Sequence, residues 1–253
     1  MLSKAKIKLI HSLELKKFRN ETDTFVAEGN KLVADILPVF TCELLIAQSE
    51  WLAARGPVRA KEVIEVTEEE MRKASLQKSP QQVLGIFKRP QASLAEVDPA
   101  TALVLALDGV QDPGNLGTIV RLADWFGIQH IVCSRDTADL FAPKTVQATM
   151  GALARVCVHY TDLATYLAAQ RMKGIPIYGT FLDGEDLYTK SLRPDGILIM
   201  GNEGNGISAA VRQFITDPIY IPTYPNKETS DVVESLNVSI ATAIVLAEFR
   251  RPR

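Results

Sequence analysis

Hydrophobic positions in this chain come as short unbroken runs. Each is followed by a stretch in which apolar residues recur every three or four positions. The clearest run is Leu103-Val104-Leu105-Ala106-Leu107, and the amphipathic stretch after it has Leu116, Ile119, Val120, Ala123 and Trp125 as its apolar positions. Unbroken apolar runs suit strands buried on both faces, and the 3.6-residue period suits helices packed over them. The pattern predicts strands at 103–107, 130–133, 154–159, 176–180, 196–200 and 218–221. It predicts helices at 116–125, 143–153, 162–172, 208–214 and 235–250. Strands alternating with helices imply an α/β fold with a mostly parallel sheet and helices on both faces.

The first 90 residues are patterned differently. A basic amphipathic stretch at 3–19 precedes a short strand, Phe25-Val26-Ala27-Glu28-Gly29, after which Asn30 is placed to cap a helix through Ile36. Strands are expected at 44–47, 63–66 and 83–87. Thr67 before Glu68, Glu69 and Glu70 has the form of an N-cap followed by acids at the positive helix end. Residues 88–99 lack periodicity and carry Pro90 and Pro99 near their ends. We therefore expect a small α/β domain over 1–90, a linker over 91–100 and a larger domain over 101–253.

Composition narrows the class without deciding it. The chain has 253 residues, is 47% hydrophobic and 23% charged, and has a formal net charge of −2. This is ordinary for a globular protein and gives no overall signature of nucleic-acid binding. The distribution is less even. Lys4, Lys6, Lys8, Lys16, Lys17 and Arg19 face only Glu14 within the first twenty residues, and Arg250, Arg251 and Arg253 end the chain. Such ends can contact phosphates or form solvated faces. Cys42, Cys133 and Cys157 have no Cys-x-x-Cys spacing, which argues for buried free thiols rather than disulfides or a metal site. His11, His130 and His159 have no metal-ligand or triad spacing. There is neither a long apolar run nor a leader-like start, so a cytoplasmic location without membrane contact is expected.

Three stretches stand out as candidate chemistry. In Asp112-Pro113-Gly114-Asn115-Leu116-Gly117, a strand turns into a helix that carries Arg121. Taken alone, Asp112 and Asn115 read as turn or cap residues, and Arg121 either snorkels to solvent or lines a cleft. Gly201-Asn202-Glu203-Gly204-Asn205-Gly206 follows an apolar strand and exposes backbone for close approach by a ligand. It fits neither the dinucleotide fingerprint nor a phosphate loop. Ser235-Leu236-Asn237-Val238-Ser239 opens the last helix, with Ser235 expected as its N-cap and Asn237 in the first turn, where Asn is a poor helix former.

Together, these three stretches and Ile221-Pro222 resemble the SpoU family of RNA ribose 2′-O-methyltransferases, TrmH-like enzymes of the SPOUT (trefoil-knot) superfamily. Residues 1–90, with Phe25-Val26-Ala27-Glu28-Gly29 and Gln81-Gln82-Val83-Leu84-Gly85, resemble the substrate-binding domain often found before that catalytic domain. The resemblance implies a C-terminal deep trefoil knot, S-adenosyl-L-methionine as methyl donor, structured RNA as acceptor and a homodimer. Carried over by residue, it implies that Thr180, Gly201, Ile221 and Leu236 contact the cofactor. Arg121 and Asn115 would face the ribose, and Glu203, Ser235 and Asn237 would complete the catalytic centre. The chain departs from the family in the segment after Pro222, which is longer and runs through Lys227 without any Gly. Ribosomal RNA is the expected substrate. A transfer RNA methyltransferase and a non-catalytic RNA-binding assembly factor are the alternatives.

Overall fold

The computed structural model describes residues 2–224 and 235–252, so most of the long segment after Pro222 lies outside the described residues. The chain runs α1 (Lys4–Ser12), α2 (Lys16–Thr22), β1 (Thr24–Glu28), α3 (Asn30–Ile36), β2 (Cys42–Ala47), α4 (Ser49–Arg55), β3 (Val63–Glu65), α5 (Glu68–Ala74) and β4 (Val83–Lys88). It continues β5 (Leu103–Leu107), α6 (Pro113–Trp125), β6 (His130–Ser134), α7 (Pro143–Ala148), β7 (Cys157–Thr161), α8 (Leu163–Met172), β8 (Ile177–Asp186), β9 (Gly196–Met200), α9 (Ala209–Arg212), β10 (Asp217–Tyr220) and α10 (Val238–Phe249). Two compact units result, Met1–Gln91 with Asp139–Ala154, and Ala92–Ala138 with Arg155–Arg253.

In the first unit the strand order is β1-β4-β2-β3. β4 is antiparallel to both its neighbours, and β2 and β3 are parallel. Phe25, Leu45 and Phe87 are fully buried in one core, which Val146 and Leu153 from the 139–154 segment also enter. Thr67 caps α5 through a reciprocal capping box with Glu70, as the sequence pattern predicts. Two expectations change. Gly29, at φ 111°, is the N-cap of α3, and Asn30 is its first helical residue. Arg19 is no solvated cation. It is 3% exposed, bonds Asp139 Oδ2 at 2.7 Å through Nη2, and donates to the Leu13 and Glu14 carbonyls.

The second unit holds a six-stranded sheet in the order β10-β8-β9-β5-β6-β7, with every pair parallel. Alternation along the strands sends Val104, Ala106, Ile197 and Ile199 to a core shared with Leu163, Leu167 and Val211 of α8 and α9. The opposite side is covered by α6 and α10, where Tyr178 of β8 meets Phe249 edge-on at 5.0 Å. Strands at 103–107 and 196–200 fall where the apolar runs place them. Other boundaries move. The helix expected over 143–153 ends at Ala148 because Met150 (φ 51°) and Gly151 (φ 91°) take left-handed backbone, which closes a helix. The strand expected at 154–159 therefore begins only at Cys157. The strand expected at 176–180 extends to Asp186, because β10 pairs with its far end after a register shift. Helix 208–214 shortens to Ala209–Arg212.

Candidate active site

β5 is where the sheet's winding reverses. β6 follows it in sequence on one side, while β9 lies on the other. Ligands bind in the crevice at the carboxyl ends of strands at such a point, and here the three singled-out stretches meet.

The turn after β5 is pinned before it becomes a helix. Asp108 is buried, its N–H donates to the Met200 carbonyl at 2.9 Å, and its Oδ2 accepts from Ser208 N at 2.7 Å. Asp112 then caps α6 by accepting from Asn115 N at 2.8 Å, with Pro113 at the first helical position. The helix therefore begins at Pro113, ahead of the expected residue 116, and Asn115 belongs to its first turn rather than to the loop.

The turn after β9 folds onto itself. Asn202 and Gly206 exchange backbone hydrogen bonds, and Asn202 Oδ1 accepts from the Gly204 and Asn205 N–H groups. Its Nδ2 donates to the Gly109 carbonyl at 2.7 Å, tying this loop to the one after β5. Gly201 is obligatory, since a Cβ there would lie 2.3 Å from the Gly206 carbonyl carbon.

The third stretch corrects an expectation. Asn237, not Ser235, caps α10, because its Oδ1 accepts from the N–H groups of Ser239 and Ile240. Ser235 lies in the irregular approach to the helix. Asn237 Nδ2 donates to Asn115 Oδ1 at 3.0 Å, and Asn115 Nδ2 donates to Glu203 Oε1 at 2.9 Å. Three side chains from widely separated stretches thus form one hydrogen-bonded row.

Beside the row opens a cleft of about 630 Å³, lined by Thr180, Met200, Gly201, Glu203, Tyr220, Ile221, Ser235, Leu236 and Val238 among others. Thr180, Gly201, Ile221 and Leu236 are thus brought together, as are Glu203 and Ser235. Arg121 is not among the lining residues. It is exposed on α6 and makes no side-chain hydrogen bond or ion pair among the described residues. Trp125 lies opposite the buried Leu116, Ile119, Val120 and Ala123 of α6 and is 84% exposed. Sequence reasoning missed Asp108 and Asn202 as loop ties and Ser239 as part of the row. The only sequence signal for them was their place beside apolar strands or within the Asn-rich turns.

The cysteines and histidines take no part in this row. Cys42 and Cys133 are buried free thiols, and burial pushes both up, Cys42 to about 12. Cys157 is exposed, against expectation. His130 Nδ1 and His159 Nε2 meet at 3.1 Å and satisfy one another. Among the described residues no group of His, Cys, Asp and Glu could hold a metal ion.

Residues 102–247 match the SpoU rRNA Methylase family. The chain belongs to that family. Residues 4–85 match the MRM3-like substrate binding domain. The chain is 32% identical over 251 residues to the 23S rRNA guanosine 2′-O-methyltransferase RlmP of Bacillus subtilis, covering 97% of this chain and 96% of that protein. A solved TrmH-family structure from Porphyromonas gingivalis superposes with a TM-score of 0.88 at 44% identity, over 99% of this chain and 98% of that one. An AdoMet-bound rRNA methyltransferase from Sinorhizobium meliloti gives 0.83 at 34% identity, over 99% and 95%.

Proposed function

We propose that this chain methylates a ribose 2′-hydroxyl of ribosomal RNA. It is an RNA 2′-O-methyltransferase, and S-adenosyl-L-methionine is its methyl donor. The observation that carries this reading is the row Asn237–Asn115–Glu203 at the rim of a cleft that gathers Thr180, Gly201, Ile221 and Leu236. The cleft fits the donor on its own terms. Its volume of about 630 Å³ is in the range of small-molecule sites, roughly 300–1,000 Å³. Its walls are largely apolar, with backbone of the Gly201 turn at close range.

When bound, S-adenosyl-L-methionine supplies a methyl group already activated on a sulfonium. The protein's task is then mostly alignment of the acceptor hydroxyl. Asn115, Glu203 and Asn237 offer fixed polar atoms for that hydroxyl, and Ser235 borders them. Arg121 brings a planar fork of N–H donors. Its contribution is to grip a phosphate or to steady the negative charge that grows on the ribose oxygen.

A second copy of the chain completes the site. Arg121 shares an exposed face of α6 with Trp125, α10 exposes Ile240 (53%), and Leu236 (49%) is exposed just ahead of that helix. An apolar face of this kind, carrying a cation absent from its own chain's cleft, suits a homodimer in which each protomer supplies Arg121 to the other's cleft. The first unit would dock the RNA, and the segment ending in α10 would be threaded as a trefoil knot. A ribosomal RNA substrate puts this work in the cytoplasm, and no helix among the described residues is long and apolar enough to cross a membrane. The test is transfer of tritiated methyl to total RNA, separated by size. Label in ribosomal RNA supports the reading. Label in transfer RNA alone overturns the substrate, and cofactor binding without any transfer favours a binding factor.

A further inference from the structure

We propose that Ser239 is a positioning residue, locking a one-way chain of hydrogen bonds that starts at the amino end of α10 and ends on the Glu203 carboxylate. This rests on the methyltransferase reading above and adds how its polar row is kept in one orientation.

The direction follows from counting donors. The backbone N–H groups of Ser239 and Ile240 can only donate, and both face Asn237 Oδ1, at 3.0 and 3.4 Å. The amide oxygen of Asn237 must therefore turn to the helix and its Nδ2 must turn away. That Nδ2 meets Asn115 at 3.0 Å, where only Oδ1 can accept. Asn115 Nδ2 is left on the far side, 2.9 Å from Glu203 Oε1. Flipping either amide would set donor against donor at one contact and acceptor against acceptor at another.

Ser239 closes this arrangement. It is buried, at 6% exposed. Its Oγ lies 2.5 Å from Asn237 Oδ1 and 3.5 Å from Asn115 Oδ1, within reach of both amide oxygens. The hydroxyl thus gives its one proton to Asn237 while lying against Asn115, at the point where α6 and α10 meet. The far end of the chain is Glu203, whose Oε1 is held by Asn115 while the residue lines the cleft. The carboxylate is kept as an acceptor in a fixed rotamer, with its second oxygen offered to the ribose hydroxyl.

The test compares wild type with Ser239→Ala, Ser239→Thr and Asn237→Asp. Asn237→Asp keeps the cap on α10 but cannot donate to Asn115, so it breaks the chain without unfolding the helix. Ser239→Ala and Asn237→Asp are each expected to lower kcat roughly 10- to 100-fold, the scale of a small misplacement at a reacting centre. KM and Kd for S-adenosyl-L-methionine should stay within about twofold, and Ser239→Thr should restore most of the rate. Independently of activity, the side-chain amide signals of Asn115 and Asn237 should both shift in the NMR spectrum of Ser239→Ala. Unchanged amide signals, or unchanged kcat in both Ser239→Ala and Asn237→Asp, would overturn the proposal. If wild type transfers no methyl to RNA, the functional reading fails while the NMR comparison still decides whether the relay exists.

Discussion

Arg19 illustrates how much a single side chain's surroundings decide. Its sequence context, a run of basic residues, reads as a solvated face, yet it is buried against Asp139. No local pattern announces this, because the partner is 120 positions away. Removing one member of such a buried pair costs about 3–5 kcal/mol, so Arg19→Ala should lower the urea midpoint markedly while Lys17→Ala, at an exposed pair, should not. His159 makes a pH prediction. Burial first, and His130 beside it second, hold it below the usual histidine value of 6.5, with Glu96 opposing. The unfolded chain therefore takes up the proton first. This stability is complete above about pH 6.5 and is lost as pH falls through the depressed value. Melting temperature should fall on acidification from pH 7 to 5, and less steeply in His159→Gln. Asn115 and Glu203 stand out in the sequence as polar residues in tight turns after apolar strands, but only the family resemblance proposes them for the site. Ser239 does not stand out, since a Ser inside a helix start carries no signal until its neighbours are in place.

At the scale of elements, the strands were the most readable part. A parallel strand buried on both faces must be apolar throughout, and residues 103–107 and 196–200 are. Ends were harder, because a cap depends on a few atoms. Ser235 and Asn237 are both good capping types, and the structure chooses Asn237, whose amide also reaches Asn115. Asn237→Ala should therefore cost about 1 kcal/mol of stability from the lost cap and a larger share of activity. Asn237→Asp should cost activity with little stability, a contrast that thermal melts run beside turnover assays would resolve. The early end of α7 likewise turns on the left-handed backbone at Met150 and Gly151. Methionine gives no hint of that conformation in sequence.

At the scale of the molecule, apolar pattern sufficed for the α/β class and the parallel sheet, whereas convergence of the three turns required the fold. Charge alone would have missed an RNA enzyme, because a net charge of −2 is compatible with local basic surfaces. The exposed face bearing Trp125 makes a further prediction. In the proposed homodimer, Trp125→Glu should give a monomer in light scattering and lower methyl transfer by at least about tenfold, because the proposed delivery of Arg121 to a partner's cleft would be lost. Arg121→Ala should leave the dimer and cofactor binding intact while reducing turnover roughly 10²- to 10³-fold, the loss typical of a group that steadies charge at the reacting oxygen. The most direct measurement is a map of ribose 2′-O-methylation across total RNA from cells with the gene, without it, and complemented by wild type or Arg121→Ala. One ribosomal RNA position should lose its methyl group on deletion, regain it with wild type and stay bare with Arg121→Ala. An unchanged map, or full restoration by Arg121→Ala, would contradict this.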